Sequence, residues 1–178
     1  MRQQLPIRIV RSAEIELAAH HMQRHSEESG RAGDIVFAPF EDFDSEAWQI
    51  KHAKRFRLAV DEPGWERLWG AFDDDRMVGH VTLSGESLAS SLHRTRLGIG
   101  LERAYRRKGL GRLLMQTAIT WASSEPTLSW VDLGVFAHNL GARALYESLG
   151  FQETGRVSDL FRVFGQSIDD VTMTLRLR

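Results

Sequence analysis

Apolar and polar residues alternate at two different periods along this chain, and the switch between periods divides it into elements. Ile7-Arg8-Ile9-Val10 has the look of a first strand. Ser12 suits a helix N-cap, and Ile15, Leu17, Ala18, Ala19 and Met22 supply the apolar side of a helix. Gly30 to Pro39 breaks the pattern. A second helix is expected from Ser45 to about Val60, with Trp48, His52, Phe56 and Ala59 near one face. Pro63-Gly64 marks a turn. Trp65 to Phe72 and Met77 to Leu83 predict a hairpin across Asp73-Asp74-Asp75-Arg76. After a polar loop comes a strand at Arg96–Leu101.

The second half is patterned more sharply. Leu110, Leu113, Leu114, Thr117, Ala118 and Trp121 fall at i, i+3, i+4, i+7, i+8 and i+11, one side of a helix that ends at Ser123-Ser124-Glu125-Pro126. Val131, Leu133 and Val135 alternate as on a strand. Asn139 sits where an N-cap belongs. Ala142, Leu145, Tyr146 and Leu149 form the stripe of a short helix, with Gly150 as its C′ residue. Extended runs follow at Phe151–Val157, Phe161–Phe164 and Val171–Leu177. The predicted order is β, α, α, β, β, β, α, β, α, β, β, which implies a mixed α/β sheet. A chain of 178 residues, 42% of them hydrophobic, fits a single domain over 1–178.

Between the strand at Arg96–Leu101 and its helix stands Arg106-Arg107-Lys108-Gly109-Leu110-Gly111. A strand, a glycine turn and a helix start together present free backbone N–H groups and the positive end of a helix dipole to an anion. The spacing excludes two commoner phosphate loops. G-x-G-x-x-G would need glycine at Arg103 or Leu114, and no G-x-x-x-x-G-K-[ST] string occurs. Downstream the chain reads Val135-x-x-x-Asn139-x-x-Ala142-x-x-Leu145-Tyr146-x-x-x-Gly150-Phe151. An Arg-x-x-Gly-x-Gly turn followed at this separation by N-x-x-A-x-x-L-Y-x-x-x-G-F resembles the GNAT (Gcn5-related N-acetyltransferase) superfamily. The two motifs span residues 93 to 151, and a weaker likeness extends to both ends.

The resemblance implies a mostly antiparallel central sheet flanked by helices, in which two parallel strands splay to hold acyl-CoA. It implies an acetyl group passing from acetyl-CoA to a primary amine by direct attack in a ternary complex. Backbone N–H groups of Arg107 to Arg112 would bind pyrophosphate, with Arg106, Arg107, Lys108, Gly109, Leu110, Gly111 and Arg112 around it. Leu97, Ile99 and Leu101 would pair with the pantetheine amides, and Asn139 and Arg143 would approach the cofactor arm. Tyr146 would be the general acid for the departing thiolate. For the base the sequence offers His93, with Glu46, Asp42 and Glu102 behind it.

Composition narrows the chemistry. There are no cysteines, so a cysteine acyl-enzyme, disulfides and cysteine metal sites are excluded. No G-x-S-x-G elbow is present either. No apolar run approaches about 18 residues, and the first residues lack the apolar stretch of a signal peptide, so a cytoplasmic protein with no membrane partner is expected. A net charge of −1 argues against a nucleic-acid partner. From Arg94 to Arg112 there are seven Lys/Arg against one Glu, which suits an anionic cofactor. From Arg31 to Asp75 there are eleven Asp/Glu against six Lys/Arg, which suits a cationic acceptor or a plain solvated face. His21 and His25, four apart, read as a surface pair rather than a metal site, and no metal is expected. A catalytically silent acyl-CoA sensor and an unrelated nucleotide-binding module remain as alternatives, and a homodimer is compatible with the resemblance.

Overall fold

A computed structural model describes residues 5–29, 35–37 and 43–177. Seven strands form one sheet in the order β1-β2-β3-β4-β5-β7-β6. The strands are β1 (Ile7–Ile9), β2 (Glu66–Asp73), β3 (Arg76–Gly85), β4 (Arg94–Leu101), β5 (Trp130–Phe136), β6 (Gln152–Val163) and β7 (Gln166–Arg176). The helices are α1 (Ile15–Glu28), α2 (Ser45–Arg55), α3 (Leu110–Ser124) and α4 (Leu140–Ser148). Element order matches the sequence expectation, and so does the mixed, mostly antiparallel sheet.

Every strand pair is antiparallel except β4 with β5. That parallel pair is joined only at Arg94↔Trp130, Thr95↔Val131 and Arg96↔Asp132. Beyond those residues β4 stays bonded to β3 through Leu101 and β5 to β7 through Phe136, while the two part from each other. A split therefore opens in the middle of the sheet.

The largest apolar cluster lies beneath the sheet, where Leu114, Met115, Ala118 and Ala122 of α3 meet Val81, Leu83, Val131, Leu133, Val171 and Met173. The buried side of α3 is turned from the expected stripe. Met115 and Ala122 are fully buried, whereas Leu113, Thr117 and Trp121 are half-buried. The helix lies across β2, β3 and β4, and the sheet selects the small or flexible residues that let it approach. Trp121 instead covers the edge of the cluster, its ring 5.2 Å from Trp69.

Two boundaries differ from the sequence reading. α2 ends at Arg55 rather than near Val60. The Arg67 guanidinium donates to the carbonyls of Phe56 (3.3 Å) and Leu58 (2.9 Å), so acceptors that helix ends leave unpaired find a partner across the chain. The runs at Phe151–Val157 and Phe161–Phe164 are one strand, β6, interrupted by an irregularity between Val157 and Phe161. There Asp159 takes φ +52 and its N–H donates to Asp169 Oδ1 at 3.0 Å.

Candidate functional site

The split between β4 and β5 forms one wall of a cleft of about 1150 Å³. Its floor is the β4 edge from Arg96 to Leu101, and its far side is Leu133 to Phe136 of β5. One end runs into the glycine turn before α3. His25 of α1, Val36, Phe37, and Leu160 and Phe161 of β6 roof it.

The turn is shaped as the sequence requires. Gly109 is the N-cap of α3, at φ +82, a left-handed conformation that favours glycine. A side-chain carbon at Gly109 would meet nothing within 4 Å, so the space before the helix start is open. At Gly111 such an atom would lie 3.5 Å from Leu101 and Leu145, in ordinary contact but facing the cleft. The first N–H groups of α3 therefore open onto unfilled space between two glycines, a cradle that fits a pyrophosphate.

Of the residues expected around a cofactor, Leu97, Ile99, Leu101, Arg106, Arg107, Gly109, Gly111, Arg112, Asn139 and Tyr146 all line this one cleft. Lys108, Leu110, Arg143 and His93 do not. Lys108 turns back to the Ala104 carbonyl and the Tyr105 ring. The Leu110 side chain is buried in the core, so only its backbone faces outward. Arg143 donates to the Ala137 carbonyl (3.2 Å) and to Glu153 (2.9 Å), which ties α4 to β6. Its Nε is buried without a partner among the described residues.

Some lining residues also have structural duties. Arg106 donates from Nε to the Leu101 carbonyl (2.9 Å) and pairs with Glu28 (3.4 Å), pinning the end of β4 to α1. The Asn139 side chain accepts from the Ala142 N–H at 3.2 Å and is the N-cap of α4. Arg112 reaches Ser148 at 2.7 Å.

Tyr146 is 6% exposed and its ring lies 6.1 Å from that of Phe151. Burial pushes its phenol up to about 12, so the group holds its proton at neutral pH. Its hydroxyl makes no hydrogen bond to another described residue. A protonated, unengaged phenol on the cleft wall is equipped to donate to a leaving group.

The expected bases fare differently. His93 is exposed and precedes β4 at the end where β4 and β5 are still paired, and its carbonyl accepts from Ser129 and Trp130. It is not brought to the cleft, because the strands part only after Arg96. Glu46 is exposed on α2, away from the cleft. Asp42 lies outside the described residues. Glu102 is buried and held by His21 (3.3 Å), Arg24 (2.9 Å) and Arg76. Burial alone would raise its carboxyl, but hydrogen bonds from His21 and Arg24 and the charges of Arg24 and Arg76 outweigh this and hold it below its usual range. It is an ion-pair anchor, not a base.

His21 and His25 are not a surface pair. Their exposures are 0% and 7%, and His21 Nε2 lies 2.9 Å from His80 Nδ1. Burial lowers the pKa of all three rings, that of His25 to about 3. Gly100 makes this packing possible, since a side-chain carbon there would sit 2.3 Å from His25 Nε2. No group of three or more His, Cys, Asp or Glu is arranged to hold a metal among the described residues. Nor is any helix among them long and apolar enough to cross a membrane.

The acidic stretch serves the fold rather than the cleft. Asp44 caps α2, Glu66 pairs with His52 and Arg55, and Asp73 accepts from Tyr105. Among its described acidic residues none lines the cleft.

Residues 32–151 match the acetyltransferase (GNAT) family. This chain belongs to that family. Among curated proteins it is 29% identical over 104 residues to the L-amino acid N-acetyltransferase AaaT of Escherichia coli (strain K12), a match covering 58% of this chain and 63% of that protein. Among solved structures, an acetyltransferase of the GNAT family from Streptococcus pneumoniae superimposes with a TM-score of 0.81 at 23% identity, over 97% of this chain and 99% of that one. The ribosomal-protein-alanine N-acetyltransferase of Brucella melitensis gives 0.80 at 21%, over 97% and 99%. The structure of yncA from Salmonella typhimurium with its cofactor acetyl-CoA gives 0.79 at 17%, over 99% and 95%. The GNAT fold thus extends beyond the matched segment to nearly the whole chain, and one such fold has been solved with acetyl-CoA in place.

Sequence reading missed three cleft features: the His25–Phe37 roof, the position of Gly98 and Gly134 just past the last β4–β5 pair, and Asp170. The strand alternation of Asp170-Val171-Thr172-Met173 carried a signal for the last, since it sets Asp170 opposite to the core.

Proposed function

We propose that this chain transfers the acetyl group of acetyl-CoA to a primary amine by direct attack within a ternary complex. The observation that carries this reading is the bare edge of β4. It runs unpaired from Leu97 to the glycine turn, with the Tyr146 phenol on the opposite wall. In this reading Arg107–Arg112 main-chain N–H groups hold the pyrophosphate. The β4 edge at Leu97, Ile99 and Leu101 pairs with the pantetheine amides, and an N–H of that edge polarises the thioester carbonyl. The Tyr146 hydroxyl protonates the sulfur as the C–S bond breaks. Without cysteine, the amine attacks the thioester itself.

A primary amine acceptor is supported by the relatives. One is named for L-amino acids and another for the alanine of a ribosomal protein. A chain-terminal α-amine, with an unperturbed pKa near ~7.7–8.0, supplies the neutral nucleophile more readily than an alkyl amine near ~10.4. The place of work consistent with this cosubstrate is the cytoplasm.

The test is thiol release from acetyl-CoA with L-amino acids, alanyl peptides, spermidine and aminoglycosides as acceptors. Turnover with at least one of them is expected. Tight binding of CoA with no turnover on any amine would select the silent sensor instead.

A further inference from the structure

Asp170 stands apart from the other carboxylates of this part of the sheet. Asp132, on the same face, is occupied by Arg94 Nε (2.7 Å) and Thr174 (2.8 Å). Asp169 accepts from Arg156 (2.7 Å) and from the Asp159 N–H (3.0 Å). The Asp170 carboxylate has neither a hydrogen bond nor an ion pair with another described residue. It is half-buried on β7, opposite Phe136 of β5 and Val157 of β6.

Val171 and Met173, two apart on β7, both enter the core, so alternation turns Asp170 to the opposite side, where it lines the cleft. There its carboxylate lies over Gly134, where a side-chain carbon would be only 2.9 Å from Oδ2. Continuing the β4–β5 register from Arg96↔Asp132 sets Gly134 level with Gly98, two residues past the last paired position. The free carboxylate thus sits where the strands have just parted, beside two positions with no side chain.

Charge makes the placement selective. Asp170 is the only carboxylate lining the cleft among the described residues, against five arginines that line it as well: Arg96, Arg103, Arg106, Arg107 and Arg112. An ammonium ion is repelled along most of this wall and attracted at one point.

We propose that Asp170 receives the acceptor's ammonium group at the parting of β4 and β5 and takes its proton. The proposal rests on the acetyltransferase reading above. A proton passes from the ammonium nitrogen to an Asp170 carboxylate oxygen. The freed lone pair forms the C–N bond, and the C–S bond breaks. The sulfur takes the Tyr146 proton. A second amine proton restores Tyr146, and Asp170 releases its own to water, so one proton leaves per turnover. Partial burial raises the Asp170 carboxyl above its usual range, against the lowering effect of Arg96, which improves it as an acceptor. The titratable groups that share its cleft are His25 of α1, His138 beyond β5 and Tyr146 of α4, with Arg96 of β4 the charge beside it.

The test compares wild type, Asp170→Asn and Asp170→Glu on the amine from the panel that wild type acetylates best. Acceptor kcat/KM is followed against pH, CoA affinity by calorimetry and Tm by thermal melting. Asp170→Asn should lose about 10²-fold or more in acceptor kcat/KM and lose the acidic limb of the profile. CoA affinity should stay within about twofold, since the glycine turn and the β4 edge, not Asp170, are assigned to the cofactor. Asp170→Glu should recover part of the rate and the limb. Asp170→Asn activity near wild type, an unchanged acidic limb, or a parallel loss of CoA affinity or folding would each overturn the proposal. A wild-type chain that binds CoA but acetylates no amine defeats the transferase reading and this inference with it. Turnover by wild type that Asp170→Asn matches defeats the inference alone.

Discussion

Replacing Tyr146 with phenylalanine isolates one atom. The ring stays packed against Phe151 and the helix α4 stripe is unchanged. Because the hydroxyl has no partner among the described residues, its removal breaks no internal hydrogen bond. Stability should therefore change by less than about 1 kcal/mol. The effect on rate should be far larger. A phenol held up to about 12 is protonated throughout the neutral range and can give its proton to the departing sulfur. Loss of a positioned general acid lowers kcat by about 10²–10⁴-fold. At about 1.36 kcal/mol per decade this is roughly 3–5 kcal/mol of barrier.

The assay is thiol release under saturating acetyl-CoA and amine, with CoA affinity measured separately by calorimetry. The deficit should narrow at alkaline pH, where a thiolate persists without needing a proton. A Tyr146→Phe enzyme with kcat within about threefold of wild type at pH 7 would refute the argument. Tyr146 would then be a packing residue, and the sulfur would leave unassisted or take its proton from water.

Four further perturbations test other parts of the structure. Gly111→Trp should fold, since the position opens onto the cleft, but its indole would fill the cradle, and calorimetry should find CoA affinity lost; unchanged affinity contradicts the anion site. Gly100→Ala should destabilise by about 1–3 kcal/mol in urea unfolding, because the new carbon would lie 2.3 Å from His25 Nε2 and 2.5 Å from His80 Cε1, both on buried rings. Stability should fall on acidification. The pKa values of His21, His25 and His80 are lowered in the folded state, so the unfolded chain binds more protons as pH drops from about 6.5 towards the His25 value of about 3. Glu102, also held low, adds a loss beginning near the ordinary carboxylate range and completed below it. Urea unfolding between pH 7.5 and 4.5 checks this sign, and a flat or rising stability would contradict it. Glu102→Ala should cost about 1–3 kcal/mol at pH 7, mainly by leaving buried His21 without its partner, since Arg24 and Arg76 are open to solvent.

Local patterns carried most of the architecture into the sequence. The Arg106-to-Gly111 turn, the alternation of Val131, Leu133 and Val135, and the Asn139 cap with its Tyr146 stripe are each decided by residues close together in the chain. Their physical causes, a left-handed N-cap, period-two burial and a side-chain cap, are local too. For that reason the element order and most of the cleft lining were legible in the sequence.

Long-range contacts settled what remained. Whether His21 and His25 face water depends on Gly100, 75 or more positions away, having no side chain to exclude them. Where α2 stops depends on Arg67, and whether Glu102 is a base or an anchor depends on Arg24 and Arg76. His93 adjoins β4 in sequence, yet the strands separate only beyond Arg96, so chain proximity misjudged its distance from the cleft. Asp170 became distinctive only once the sheet set it over Gly134 among five arginines. The chain's local chemistry determined its elements and the anion turn. Packing decided which charges are neutralised and left the Asp170 carboxylate unpaired in the cleft among the described residues, because burial and pairing are properties of the neighbours that folding supplies.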